Sequence, residues 1–369
     1  MYKSIQCLRA LAALLVVLFH LSIALASAKY FGVAPLEGLF QFGDSGVAFF
    51  FVLSGFIIAH VHAGDLGRPE RLASYLRKRA VRIYPTYFIL FGVAYASLLL
   101  LPETRATAPH DPILLLKSLA LIPQDKAVVG GTGAPVLIVA WSLQYEICFY
   151  ALFALAILSR VFGLVLVPLL AANFIGCHTG VCTFSRAFLA NNLFLLFGLG
   201  VLLAYCARRP LRLPQPLRVA SIAAAAFVLY ALLETLLGRE WLPVDRHLVY
   251  GGLGGLLLYA LVQAEDTGRL AVRNRWLVLL GDASYVLYLI HYPLISALCK
   301  VLRALGLHGV TGAVVAFFAI LAACLLAGVG FHLWVERPLL RALSSRPSGR
   351  RAGLAPGLAG APAVSPQSE

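Results

Sequence analysis

Three ionisable residues, His20, Glu146 and His291, lie so far inside apolar stretches that no choice of helix ends brings them to water. Such a group costs roughly 3 kcal/mol or more in lipid unless it is paired or faces a polar cavity, so each is a candidate for chemistry. Arg9 precedes His20 by eleven positions in the same stretch. Eleven steps of about 100° close three turns with about 20° to spare, so both side chains leave one helix face, about 16 Å apart along the axis. A cation near cytoplasmic water can hold phosphate, and an imidazole deeper in offers a ring nitrogen that accepts a proton. A buried, hydrogen-bonded histidine with a snorkelling arginine fits the same spacing, which leaves the two readings even.

Further candidates cluster in three places. If a helix begins near Arg77 in Arg77-Lys78-Arg79-Ala80-Val81-Arg82, then Arg79 and Arg82 share a face at i and i+3. Guanidinium forks match phosphate oxygens as a lysine point charge does not, and a helix N-terminus adds its own pull on anions. Ordinary anchoring would account for the charge, but not for arginine at both places. Beside Trp141, Ser142 and Glu146 stand at i and i+4. Ser284, Tyr288 and His291 fall at i, i+4 and i+7, next to Tyr285 and ahead of a kinking Pro293. Counted from the inner helix ends, His20 and His291 have similar depth, although nothing in the sequence makes them face each other. His60 and His62 point apart at a helix end and read as interfacial. No metal is expected, Cys177-His178 included.

The elements that must position these groups follow from composition. With 61% hydrophobic residues, 12% charged and a mean hydropathy of +0.87, the chain has too little polar surface to be wetted as a soluble domain. Ten stretches approach the roughly 20 apolar residues that a bilayer crossing needs. They run near 5–27, 42–61, 82–101, 137–158, 161–175, 188–206, 217–237, 247–264, 278–302 and 311–334, the fifth being the shortest. The expected fold is an all-α integral membrane protein, a bundle of about ten transmembrane helices. Placing both termini in the cytoplasm keeps most of the 30 Lys and Arg inside, whereas inversion would translocate Arg77-Lys78-Arg79 and Arg82. The net charge of +14 is thus mainly an orientation signal, and a nucleic-acid surface is excluded for want of a soluble domain to carry it.

The first stretch imitates a secretory signal, but Arg9 and His20 interrupt it and its apolar length exceeds the usual 7–15 residues or so of a signal core. Of seven cysteines, Cys177 and Cys182 share an outer loop, where a disulfide and two free thiols both remain open. Residues 1–342 are expected to form one membrane domain, and 343–369, rich in Pro, Gly, Ala and Ser, a disordered cytoplasmic tail.

Arg9-(x10)-His20 in an N-terminal helix resembles the signature of the acyltransferase-3 membrane family, which includes exopolysaccharide and O-antigen acetyltransferases. Other landmarks follow in order: Gly46 through Ser54-Gly55-Phe56, Arg79-Ala-Val-Arg82-Ile-Tyr-Pro85, Trp141-Ser142-Leu143 with Glu146 and Phe149-Tyr150, Ser284-Tyr285 through His291, and Glu336-Arg337-Pro338. The resemblance implies a bacterial inner-membrane enzyme that uses acetyl-CoA, or another acyl-CoA, to acylate a glycan or lipid-linked glycan hydroxyl. It implies donor phosphates held by Arg79 and Arg82 with help from Arg9, and catalysis by His20 with Glu146 orienting its imidazole. Trp141, Ser142, Ser284, Tyr285, Tyr288 and His291 would line the substrate cavity. His20 would act as general base, or carry the acyl group transiently. Ala48 departs from the pattern, since many relatives carry an acid there, and Asp44, four residues earlier, is a possible substitute. No soluble esterase-like domain follows the last stretch, as in stand-alone members. Two rivals remain: a flippase of lipid-linked sugars, which would explain the buried histidines but not the paired arginines, and an acyltransferase for a small lipophilic molecule such as a macrolide.

Overall fold

The computed structural model describes residues 2–344, apart from 34–37, 101, 106–107, 210, 240 and 242. Ten long helices organise it: α1 (Lys3–Ala26), α2 (Ser45–His62), α3 (Leu72–Leu100), α4 (Trp141–Leu158), α5 (Arg160–Thr179), α6 (Leu193–Ala207), α7 (Pro216–Leu237), α8 (Arg246–Asp266), α9 (Ser284–Ala304) and α10 (Gly309–Phe331). With the short turns that extend some of them, all ten are long and apolar enough to cross a membrane, and no strand occurs among the described residues. This is the architecture of a multi-pass membrane protein, in which each segment satisfies its backbone polar groups internally. A π turn (His332–Glu336) and a short helix, α11 (Arg337–Ser344), carry the last segment beyond its expected end. Most of the tail expected to be disordered, residues 345–369, lies outside the described residues, and 343–344 end α11.

The third helix differs most from expectation. It begins at Leu72 rather than near 82, so the whole Arg77–Arg82 cluster is helical. Apolar length alone marks where a helix enters lipid, not where its hydrogen bonding starts, and α3 extends well past its apolar part. The fifth helix, too, is longer than its apolar run, at 20 residues.

Close backbone approach holds the centre together. A Cβ on Gly46 of α2 would lie 2.3 Å from the carbonyl oxygen of Ala12 in α1, and one on Gly200 of α6 would lie 2.0 Å from that of Val52 in α2. Lipid offers helices no hydrophobic drive to associate, so small residues that admit backbone contact supply the packing instead. The start of α1 is capped from a distance: the free N–H groups of Lys3 and Ser4 both donate to the Glu265 carboxylate at 2.9 Å, at the end of α8.

At the opposite end of the bundle, Arg246 donates to both carboxylate oxygens of Asp44 (2.7 and 2.8 Å) and to Glu234 (2.6 Å), whose other oxygen accepts from Tyr250 (2.7 Å). This network ties α7 and α8 to the entry of α2. Glu234 is buried, although it falls in the last turn of α7. Cys177 and Cys182 are joined as a disulfide, which resolves the alternative left open above. The packing predicts that Gly200→Val costs about 1–3 kcal/mol through overpacking. Thermal unfolding in detergent should show it, while Gly252→Ala, with no atom within 4 Å of the new methyl, should leave the melting temperature unchanged.

Candidate active site

A cavity of about 650 Å³ opens between α1, α2, α3, α4, α9 and the final turns of the chain. Its lining unites residues spread over the whole sequence: Arg9 and Gln6, Ser54, Arg79 and Arg82, Ser142 and Glu146, and Ser284, Tyr285 and Tyr288. Eight of the eleven candidates drawn from the sequence therefore share one chamber. Trp141 is not among the lining; it packs edge-on against Phe51 and Tyr145.

The cationic groups gather at the end where α1 begins. Arg9, Lys78, Arg79, Arg82 and Arg337 line the chamber against the carboxylates of Glu146 and Asp282. Their partners differ. Arg9 donates to the Gln6 amide oxygen (3.2 Å), whereas Arg82 donates to the buried Glu336 carboxylate (2.8 Å) and lies over the Tyr285 ring, 5.2 Å from its centroid. Arg79 stands over Tyr150, 5.8 Å from the ring centroid, and its Nε is buried with no hydrogen-bond partner. A guanidinium so placed is short of acceptors, and an anion entering the chamber would supply them.

Glu146 does not meet the expectation that it orients His20. Its carboxylate accepts from Ser54 Oγ (2.8 Å) and from the Tyr150 hydroxyl. The α-helical repeat explains this: Ser142, Glu146 and Tyr150 follow one face of α4, and that face meets α2 at Ser54. Asp44, four residues before Ala48, is engaged at both oxygens by Arg246, and it also acts on His20 through space. Ala48 itself is fully buried.

His20 instead meets His291. The two rings lie just beyond the chamber, past Tyr288, whose ring centroid is 5.8 Å from that of His291 and whose hydroxyl bonds Ser142 Oγ (2.7 Å) and donates to the Val139 carbonyl oxygen (3.0 Å). Nδ1 of His20 is 3.0 Å from the Val16 carbonyl oxygen, and Nδ1 of His291 is 3.1 Å from that of Leu287. A carbonyl only accepts, so each Nδ1 carries the hydrogen. His291 Nε2 then has a lone pair, 3.2 Å from His20 Nδ1, and shares that hydrogen. One nitrogen of the couple, Nε2 of His20, remains as a base that the partner ring does not occupy.

Several participants were missed in the sequence. Ser54, Tyr150 and Glu336 were visible only inside longer motifs, and Gln6 and Asp282 had no spacing to mark them. His332 sits four residues before Glu336 in an apolar run, a signal of the same kind that singled out His291.

A family model described as an acyltransferase domain matches residues 2–329. The chain belongs to the acyltransferase-3 family. The exopolysaccharide production protein ExoZ of Rhizobium meliloti (strain 1021) is 33% identical over 332 residues, covering 87% of this acyltransferase and 95% of the relative. Acyltransferase MdmB of Streptomyces mycarofaciens is 26% identical over 340 residues, 82% of each chain. No solved structure matches. The histidine couple of this acyltransferase predicts that His291→Leu, which removes the acceptor, lowers the turnover of acyl transfer about 10²-fold or more. His291→Gln, whose amide oxygen can accept from His20, should retain a larger fraction. Turnover of a labelled acyl donor by purified protein would check the order of the two variants.

Proposed function

We propose that this acyltransferase moves an acetyl group, or a close acyl relative, from coenzyme A to a hydroxyl of an exported or cell-surface glycan. The observation that carries the reading is the chamber itself, cationic where α1 and α3 begin and bounded by Tyr288, whose ring neighbours His291, the partner of His20. The positive-inside bias supports a cytoplasmic position for the basic end, from which an acyl-CoA would enter the chamber. Arg79 supplies the donors for its phosphates, with Arg82 and Arg9 beside it. The pantetheine arm then runs inward past Phe50 and Tyr288 toward His20, along the roughly 16 Å that separates His20 from Arg9 on one helix face.

In the reaction, His20 Nε2 removes the proton of the acceptor hydroxyl as its oxygen attacks the thioester carbonyl. The C–S bond breaks, and the thiolate leaves with the proton returned from the imidazolium. His291 steadies the ring through its shared hydrogen. Attack by His20 Nε2 itself, to give an acyl-imidazole that the hydroxyl then cleaves, is the two-step variant. The glycan acceptor is supported by the relative named for exopolysaccharide production.

Labelled acetyl-CoA and purified protein test the donor half: transfer or slow thioester hydrolysis is expected, whereas glycan movement without acetyl-CoA would favour a flippase. His20→Ala should express normally and lose about 10²–10⁴-fold in acetylation. Arg79→Gln should raise the KM for acetyl-CoA roughly tenfold with little change in kcat, as expected for loss of a charge-assisted contact made equally in ground and transition states. Unchanged glycan acetylation in cells carrying His20→Ala would rule out its role, with mass spectrometry of the surface polysaccharide as the measurement.

A further inference from the structure

The chamber is closed on one side by the last segment, where the helix abandons its regular repeat. Residues His332–Glu336 form a π turn between α10 and α11. Such turns are rare and concentrate at functional sites, because widening the helix displaces side chains from the positions an α-helix would give them. Here the turn presents Glu336, whose side chain is 0% exposed, between two groups that line the chamber. One carboxylate oxygen accepts from Arg82 Nη1 at 2.8 Å, and the other from His332 Nδ1 at 2.6 Å. A second link runs alongside: Arg77 Nη2 donates to the Leu343 carbonyl (2.9 Å), fastening α3 to α11.

A carboxylate buried among membrane helices is costly unless both oxygens are satisfied, and a clamp between α3 and the last segment could be made more cheaply by an exposed pair. What the buried arrangement adds is direction. Arg82 uses one nitrogen on Glu336 and rests its plane on Tyr285, so its remaining N–H groups are fixed rather than free to wander. His332, hydrogen-bonded through Nδ1, keeps the carboxylate from turning away. The carboxylate–imidazole pairing expected around His20 thus occurs in this protein at His332, at the phosphate end of the chamber.

We propose that Glu336 is a positioning residue of the donor site: held by His332, it fixes Arg82 so that the guanidinium's remaining donors face a phosphate of a nucleotide-bearing acyl donor. This rests on the acyl-CoA reading above. The test compares acetyl-CoA with acetyl-pantetheine, which lacks the nucleotide and its phosphates, on purified full-length protein. Wild type should show a lower KM for acetyl-CoA. Glu336→Gln should raise that KM about tenfold, the loss of one charge-assisted contact, while the KM for acetyl-pantetheine and both kcat values hold. A merely structural role would depress both donors alike, and that result overturns the proposal. Discrimination that survives intact in Glu336→Gln overturns it too, leaving the donor reading in place. Equal KM values in wild type would defeat the donor reading and this assignment with it. If Glu336→Gln does not fold, His332→Leu, which leaves the ion pair but strips the carboxylate of its second partner, should show the same donor-selective change at smaller amplitude; no change there is the overturning result.

Discussion

A charge carried among membrane-spanning helices must have a partner or a polar cavity, and that constraint organises this structure more than any apolar contact. Two carboxylates, Glu234 and Glu336, are each almost wholly buried and each is held by an arginine from another helix and by a second donor. One such knot lies at either end of the bundle. The first joins α7 and α8 to α2, and the second joins α3 to the last segment. Between them runs the chamber, whose cationic groups outnumber its carboxylates. A buried ion pair is weak evidence of stability in itself. Its contribution here is placement, since each buried carboxylate fixes the position of an arginine from another helix.

The second requirement is close packing without a hydrophobic drive. Gly46 and Gly200 let α2 touch the backbones of α1 and α6, which sets the rotation of α2 and so aims Ser54 at Glu146. The same contact between α1 and α2 fixes α1, and with it the face that carries Arg9 toward the chamber and His20 toward α9. The glycines are distant from the candidate chemistry, yet its geometry depends on them.

Much of this was legible beforehand, for identifiable reasons. Lipid forces long apolar helices, so the ten segments could be read from composition, and helical spacing placed Ser142 with Glu146 and Ser284 with Tyr288 on common faces. Depth along two separate helices was enough to suggest that His20 and His291 stand level, and the structure brings them into contact. Pairings between helices were not legible. Glu146 turned to Ser54 and Tyr150, Asp44 to Arg246, and Arg82 to Glu336, because the partner depends on which helices are neighbours and how each is rotated, and no periodicity within one segment encodes that. The start of α3 falls ahead of its apolar stretch for a related reason, since charge marks the edge of the membrane while the helix continues past it.

The displacement of Glu146 from His20 bears on the chemistry proposed. A carboxylate beside the base would stabilise an imidazolium, as in hydrolase triads, and favour simple proton abstraction. His20 instead has a neutral partner, His291, whose own Nδ1 is committed to a carbonyl. Charge developing on His20 can pass to His291 by transfer of the shared hydrogen, and the Asp44 carboxylate acts on it through space. The uncommitted Nε2 serves as base on one route and as nucleophile on the acyl-imidazole route, where the Nδ1 hydrogen must pass to His291 for the acylated ring to be neutral. On that route the acyl group would rest on a residue level with the outer part of the bundle while the donor phosphates remain at the basic end. The separation of Arg9 from His20 along α1 would then be the distance over which the acyl group is handed from one side of the membrane toward the other.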